Sequence, residues 1–517
     1  MSEQGADLAS YLQRGMAIAW WAERFPDRLA IVANDEAHTY EDLNARVNQL
    51  VRALRRRGAK PGDGVAALIS NRREFAEVIA ATQRAGLRFT PINWHLNAEE
   101  AAYIVDNCDA VVFVADARFA ETAAKAASSA DNATIRFSVG GAIAGFETYD
   151  EAIAGEDQTD IDEPVLGSTM LYTSGTTGKP KGVYRTETPP TPGTASPIVL
   201  FDYSAGNCVH LATGPLYHAA PMYLSLIAPL TAGVGVVMMD KWSPEEMLRL
   251  IEKYRVTHTH VVPTMLHRLL ALPESVREAA DVSSVVGIVH GAAACPVPIK
   301  RAIIDWFGPI VGEYYGATEG AGTTVTCEEW LDHPGTVGKP ATPELVQIRD
   351  ENGAEVARGE VGQVYLQAPP VGRFKYYKDD AKTDSTYQGD YFTLGDVGFI
   401  DQDGYLYLTD RSANLIISGG VNIYPAESEA ELLCHPAVGD VAVIGAPDDE
   451  WGELVVAVVE LKEDVEPTPE LQDELIAFCR DRLAHFKCPR RVDFVDELPR
   501  HDNGKLYKKQ IRHAYRR

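Results

Sequence analysis

The chain is short of basic residues: 48 Lys and Arg face 74 Asp and Glu, a formal net charge of −26. Such a balance argues against nucleic acid as a partner. It also has no apolar run of the roughly 18 residues that a membrane-spanning helix needs, so no transmembrane segment is expected. Cysteine is sparse and scattered, at 108, 208, 295, 327, 434, 479 and 488, odd in number and without a CxxC pair. This excludes a disulfide framework and a cysteine-held metal cluster, and it suits a reducing, cytoplasmic compartment. A catalytic cysteine is left open. The segment Met1 to Gln13 is polar and places two acids before the first arginine, Arg14, unlike a secretory signal.

What is present is chain enough for several cores. With 517 residues, 45% hydrophobic and 24% charged, a soluble globular protein of about three domains is expected. Residues 10–165 alternate helical and strand patterns. Thr39 caps a helix with early acids that runs to Leu54, and Val65 to Ile69 is a short buried strand. A second such block covers 200–330, with strands expected at Val234 to Met239 and Val285 to Val289. Alternation of this kind predicts parallel sheets covered by helices. Residues 335–408 turn β-rich, with turn signals at Asn352-Gly353 and Asp403-Gly404. The pattern returns to mixed α and β after Arg411. From Arg480 to Arg517 the net charge is +7, against −33 for the remainder. That tail reads either as a solvated surface or as a small basic lobe that meets phosphates.

The densest signal is Tyr172-Thr173-Ser174-Gly175-Thr176-Thr177-Gly178-Lys179-Pro180-Lys181-Gly182-Val183. Glycines let backbone N–H groups approach an anion, hydroxyls add donors and lysines add charge. A polyphosphate is the natural ligand. The ordinary NTPase loop G-x-x-x-x-G-K-[ST] is excluded, because Thr173 stands at its first glycine and Pro180 at its Ser/Thr. Apolar residues on both sides give strand, loop, strand rather than strand, loop, helix. A plain surface hairpin is the alternative.

Four other segments hold chemistry-bearing residues. Glu313-Tyr314-Tyr315-Gly316-Ala317-Thr318-Glu319-Gly320 follows a strand pattern and places an aromatic, a hydroxyl and a carboxylate within five residues. These suit a purine, a phosphate and Mg²⁺ respectively. Asp396 lies between glycines at an expected strand end, either capping a turn or holding ribose hydroxyls. Ile416 to Pro425 is a glycine turn between apolar strands, and Leu498 to Lys505 ends in a lysine after a glycine turn.

Taken in order along the chain, these motifs resemble the adenylate-forming superfamily, whose members include acyl-CoA synthetases, nonribosomal adenylation domains and beetle luciferases. The resemblance covers about residues 15–515. It implies a large N-terminal AMP-binding domain, 1–410, of two α/β subdomains and a β-rich barrel-like part. It further implies a hinge at 411–413 and a small mobile α+β domain, 414–517.

The implied site follows residue by residue. Thr173, Ser174, Gly175, Thr176, Thr177, Gly178, Lys179 and Lys181 would grip the phosphates of ATP. Gly291, Ala292, Ala293, Tyr315, Gly316, Thr318, Asp396 and Arg411 would hold AMP, and Glu319 would hold Mg²⁺. Lys505, with Glu319 and Thr173, would be catalytic. Tyr217, His218, Met222 and Ala294 would line the acyl pocket, and Ser418, Gly419 and Gly420 the CoA tunnel. Gly291 to Ala294 would be a glycine-alanine strand between adenine and the acyl group, whose small side chains leave volume for a roomy, lipophilic pocket. Two departures stand out: Asn503 replaces the usual threonine before the lysine, and Ala413 occupies a hinge position that is usually Asp or Lys.

The implied reaction is ATP-dependent, AMP-forming ligation of a hydrophobic carboxylic acid to CoA. The style is closest to fatty-acid and steroid or bile-acid ligases, with aryl acids as the main competitor. Transfer to an amine or carrier thiol, and a non-catalytic nucleotide binder, are the rival readings. A homodimer is left open.

Overall fold

The computed structural model describes residues 3–173, 180–185, 200–204, 206–411, 414–418, 421–448, 451–500 and 506–515. The first sheet is wholly parallel and runs in the order Glu147–Thr148, Ile135–Val139, Ala110–Asp116, Gly64–Leu68, Arg88–Pro91, Ser168–Thr169. Its central strands are apolar on both faces (Val65, Phe89, Val112, Phe113 and Phe137 are buried), which demands helices on both sides. Tyr40–Arg56 and Arg73–Arg84 belong to this cover. The first of them opens on a capping box, in which Thr39 accepts from the Asp42 N–H and Asp42 accepts from the Thr39 N–H. It runs two residues beyond the expected Leu54.

The second sheet has eight strands in the order Ala321–Val325, Val311–Gly316, Gly287–His290, His258–Val261, Val209–Ala212, Gly235–Met238, Leu29–Ala33, Glu36–Thr39. Its interior pairs are parallel and its two edge pairs antiparallel. Two sequence expectations change here. The hairpin Leu29–Ala33/Glu36–Thr39 lies inside the first sequence block yet joins the second sheet, where Ile31 and Val32 pair with Val236 and Val237. Its turn uses Asn34 and Asp35, both at positive φ (51° and 63°), residues that tolerate that region. The strand expected at Val285 to Val289 is Gly287–His290 instead; Val286 is 53% exposed and stands in the turn before it.

Residues 346–411 form a five-stranded antiparallel sheet around Val346, Val364, Leu366, Phe392 and Leu406. A small sheet of Phe374–Tyr376, Lys181–Arg185 and Leu171–Thr173 leads from it to the phosphate loop. Beyond residue 414, the strands Ile416–Ser418, Val421–Ile423, Val438–Asp448, Gly452–Leu461 and Arg491–Val495 form one sheet. With the helices Pro425–Leu432, Pro469–Arg480 and Lys508–Tyr515 they enclose a core of their own. Among the described residues no helix is long and apolar enough to cross a membrane.

Candidate active site

The C-terminal ends of the parallel strands in the second sheet gather most of the expected residues, the place where open α/β sheets bind ligands. Tyr315 ends the strand Val311–Gly316, and a tight turn follows, with the Ala317 N–H on the Gly320 carbonyl and the Gly320 N–H on that of Ala317. This turn presents Thr318 and buries Glu319, which is 7% exposed.

Glu319 Oε1 accepts from the Tyr376 hydroxyl at 3.1 Å. Burial, and then this carboxylate, push the Tyr376 phenol pKa up. Arg185 donates to the backbone carbonyls of Thr318 (3.2 Å) and Glu319 (2.6 Å) and so fixes the turn. Among the described residues no cationic side chain pairs with the Glu319 carboxylate. A buried, charge-uncompensated carboxylate with a free oxygen fits a hard divalent cation such as Mg²⁺.

Tyr315 and Asp396, assigned from different motifs, meet directly: the Tyr315 hydroxyl donates to Asp396 Oδ2 at 2.6 Å, with both side chains buried. Asp396 is not at a strand end, as its flanking glycines suggested. It lies within Tyr391–Ile400, where Gly395 at φ 83° and a register shift bend a long strand. Arg411 is the Cα partner of Asp396 across the antiparallel pair.

The segment after Gly287–His290 also departs from expectation. Gly291 to Ala294 is irregular chain rather than strand, and Ala292 takes φ 71°. A side chain in that left-handed region stores strain of the kind met at binding sites. Gly291 is required for a different reason than pocket volume: an added Cβ would lie 2.5 Å from the Tyr314 ring. Ala293 and Ala294 are exposed.

Behind this segment sits a buried ion pair, Lys300 Nζ to Glu313 Oε2 at 2.7 Å, with the Lys300 ammonium over the Trp330 ring. His290 Nε2 stands 3.3 Å from the same carboxylate oxygen. Burial, followed by the Lys300 charge, holds the His290 imidazole neutral.

Three of the residues expected at the acyl pocket, Tyr217, His218 and Met222, lie on the segment after Val209–Ala212. Tyr217 is buried edge-on against Trp94 (4.5 Å between ring centroids) and beside His218 (4.4 Å), and Met222 is wholly buried. Asn71, from the first block, pins this turn. Its amide donates to the carbonyls of Gly214 and Met239, and its oxygen accepts from the Leu216 N–H, each at 2.9 Å.

Thr173 and Lys181 face each other across an antiparallel pair, which gives the expected strands on both sides of 174–179. The Lys181 ammonium lies 5.6 Å from the Tyr376 ring centroid, and so beside Glu319's partner. Ser174 to Lys179, Ala413, Gly419, Gly420 and Lys505 lie outside the described residues. Around them, Asp410 accepts from the Asn414 amide and the Ala426 N–H, both at 3.0 Å, and so ties the two sides of 412–413 together. Ser418 ends one strand of the expected hairpin, opposite Val421. Arg500 and Leu506 form an antiparallel bridge, and the Tyr507 N–H donates to the Pro499 carbonyl, closing the segment that carries Lys505 at its base.

The residues missed from sequence are Arg185, Tyr376, Asn71 and Trp94. Only Arg185 left a signal. It alternates with Lys181 and Val183 and therefore shares the Lys181 face of one strand.

Residues 18–377 match the model of the AMP-binding enzymes, and residues 427–505 match that of the AMP-binding enzyme C-terminal domain. The chain belongs to the AMP-binding enzyme family. Within this family it is similar to a feruloyl-CoA synthase of an Amycolatopsis species, with 32% identity over 96% of this chain and 97% of that one. It is also similar to the medium/long-chain-fatty-acid–CoA ligase FadD8 of Mycobacterium tuberculosis, with 31% identity over 98% of this chain and 91% of the relative. Among solved structures, an anthranilate CoA ligase, AuaEII, in complex with anthranoyl-AMP superposes with a TM-score of 0.85 at 25% identity, covering 96% and 97% of the two chains. Membership carries the adenylate-forming fold of a large N-terminal and a small C-terminal domain.

Proposed function

We propose that this enzyme is an ATP-dependent, AMP-forming carboxylate–CoA ligase whose acid is hydrophobic and carries a ring. The observation that carries the reading is the direct Tyr315–Asp396 bond beside the buried Glu319. It joins a flat aromatic, read as the adenine platform, to a carboxylate read as the ribose acceptor, and the carboxylate read as the magnesium ligand follows four residues after that aromatic. CoA ligases for both aryl and fatty acids among the relatives support the reaction type. For the acid itself, the fatty or steroid-like preference and the aryl alternative are both hydrophobic. The aromatic wall of Trp94 and Tyr217 favours a ring, because edge-to-face contacts reward flat partners.

In the first half-reaction a carboxylate oxygen of the acid bonds to the α-phosphorus of ATP, the bond to the β-phosphate breaks, and pyrophosphate leaves. Tyr315 stacks on adenine, Asp396 accepts from the ribose hydroxyls, and Thr173 and Lys181 stand at the base of the loop that grips the leaving phosphates. Glu319 would hold Mg²⁺, which would neutralise charge on those phosphates. Lys505 bridges the acid and the α-phosphate. In the second half-reaction the small domain turns about 411–413 and brings the Ser418 hairpin to the site. The CoA sulfur then attacks the acyl carbon, and AMP leaves.

Pyrophosphate release over a panel of acids, followed by mass analysis for the thioester, tests the reading. Release that depends on both acid and ATP, with acyl-CoA as product, is expected. No acyl-CoA from any acid would overturn it. Lys505→Ala should slow acyl-adenylate formation by about 10²–10³, yet leave conversion of supplied acyl-adenylate to thioester near the parent rate. An equal fall in both steps would remove the lysine from its role.

A further inference from the structure

One face of the second sheet carries more polar side chains than a lipophilic pocket needs. The register pairs His210 with His258 and Ala212 with His260, so three imidazoles share that face, all buried. Each has one nitrogen occupied: His210 Nδ1 by the Tyr203 hydroxyl (2.9 Å), His258 Nδ1 by that of Thr257 (2.9 Å) and His260 Nε2 by that of Tyr314 (3.1 Å). His210 Nε2, however, is fully buried without a hydrogen-bond partner.

The element over this face is the helical segment from Ala219 to Thr231, whose middle turn, Tyr223–Ile227, is a π-helix packed on Val209–Ala212 and His258–Val261. Leu224 of that turn joins Phe201, Val289 and Tyr314 in one apolar cluster. Its neighbour Ser225 is also wholly buried, and its hydroxyl has no partner either. A helical serine ordinarily returns its hydroxyl to a carbonyl one turn back. Here a π turn, a rare element that recurs at functional sites, leaves it unbonded.

Both atoms sit on elements joined to the expected acyl-pocket residues, since the strand Val209–Ala212 runs on into Tyr217 and His218. Met222 precedes this turn on the same segment. Tyr314 links the Gly291 segment to this face: its ring lies against Gly291 and its hydroxyl bonds His260. Along its strand His210 lies two residues before Ala212, roughly 7 Å further from the segment that carries Tyr217.

We propose that His210 Nε2 and Ser225 Oγ together hold a neutral hydrogen-bonding substituent, a hydroxyl or ketone, at the end of the acid remote from its carboxylate. The enzyme thereby selects ring acids that bear such a group over hydrocarbon acids of the same shape. Burial supports a neutral rather than an anionic substituent: it lowers the His210 and His258 pKa values and brings His260 down to about 4, so no imidazolium is present to hold a second carboxylate. This inference rests on the ligase reading above.

The test uses matched acids on phenyl, naphthyl and steroid scaffolds, each with a distal hydroxyl or a methyl in its place. The readout is the ratio of kcat/KM for pyrophosphate release on whichever scaffold turns over, in the parent enzyme, Ser225→Ala and His210→Phe. The parent should favour the hydroxy acid at least about tenfold, the scale at which a site built to bond a hydroxyl rejects its analogue. Both variants should bring the ratio towards one, because the hydroxy acid loses more than the methyl acid. Ser225→Ala removes one atom from the core and keeps the test valid if His210→Phe fails to fold. Equal use of both acids by the parent, or equal losses for both acids in the variants, would overturn the inference and leave the ligase reading standing. No pyrophosphate release from any scaffold would overturn both.

Discussion

The two α/β sheets use the same construction for different ends. The strands of the first carry no histidine: Val65, Phe89, Val112, Phe113 and Phe137 fill its interior, and the polar side chains they bury are only Thr90, Asp116 and Ser138. The strands of the second bury His210, His258, His260, His290 and Glu313, with Lys300 on the helix behind. Polar groups inside a sheet cost stability unless they are paired, so the second sheet gives up stability for a surface that can bind. The first contributes position instead, through Asn71 on the turn before Tyr217.

The largest expected contrast is between function and stability. Glu319→Gln, on the turn after a second-sheet strand, should lower the adenylation rate by about 10²–10³ and leave the unfolding midpoint in place. Phe113→Ala, in the first sheet, should cost about 3–5 kcal/mol of stability, with kcat of the folded fraction preserved. Urea titration and stopped-flow pyrophosphate release on the same samples would show it. A catalytic loss in Phe113→Ala that folding does not explain would break the comparison.

Next in size is Lys300→Met, which leaves Glu313 charged and buried and should cost about 3–5 kcal/mol at neutral pH. Burial already holds the Glu313 pKa up, so the loss should shrink as pH falls and Glu313 takes a proton. The loss in Phe113→Ala should show no such relief. Equal pH dependence of the two variants would contradict the assignment of the pair.

The histidines give a third contrast. The folded state holds His260 at about 4 against an ordinary 6.5. The unfolded chain therefore binds a proton that the folded one refuses. The stabilisation is complete above about pH 6.5 and is lost as pH falls towards 4, by roughly 3 kcal/mol for this residue. Urea midpoints of the parent and His260→Asn, followed from about one unit above that window down to near its lower edge, should diverge least at the acid end. The smallest effect belongs to the first block: Thr39→Ala removes a helix cap and should cost about 1 kcal/mol without changing KM for any substrate.

Much of this was legible in the sequence, for reasons of locality. The strands on either side of 174–179, the Thr39 cap and the antiparallel strands at 416–418 and 421–423 are each set by a few adjacent residues and stand as read. The hairpin at Leu29 to Thr39 was assigned to the wrong sheet, because which sheet a strand joins depends on partners some two hundred residues away, Val236 and Val237. Gly291 was read as open volume, yet it is small because the Tyr314 ring lies across it. Tyr315 and Asp396 were assigned separately, and their mutual bond follows from a strand crossing that no local pattern encodes. Arg185 and Tyr376 reach Glu319 only through the small sheet that joins the phosphate loop to the β-rich unit.

The central claim is that the acid is activated by its own attack on the α-phosphate and that AMP is the group later released. It can be followed atom by atom. With an acid labelled with ¹⁸O in its carboxylate, turned over with ATP and CoA, the AMP recovered should carry one labelled oxygen, and the pyrophosphate none. Label in free phosphate or pyrophosphate, or unlabelled AMP from a reaction that yields the thioester, would contradict it.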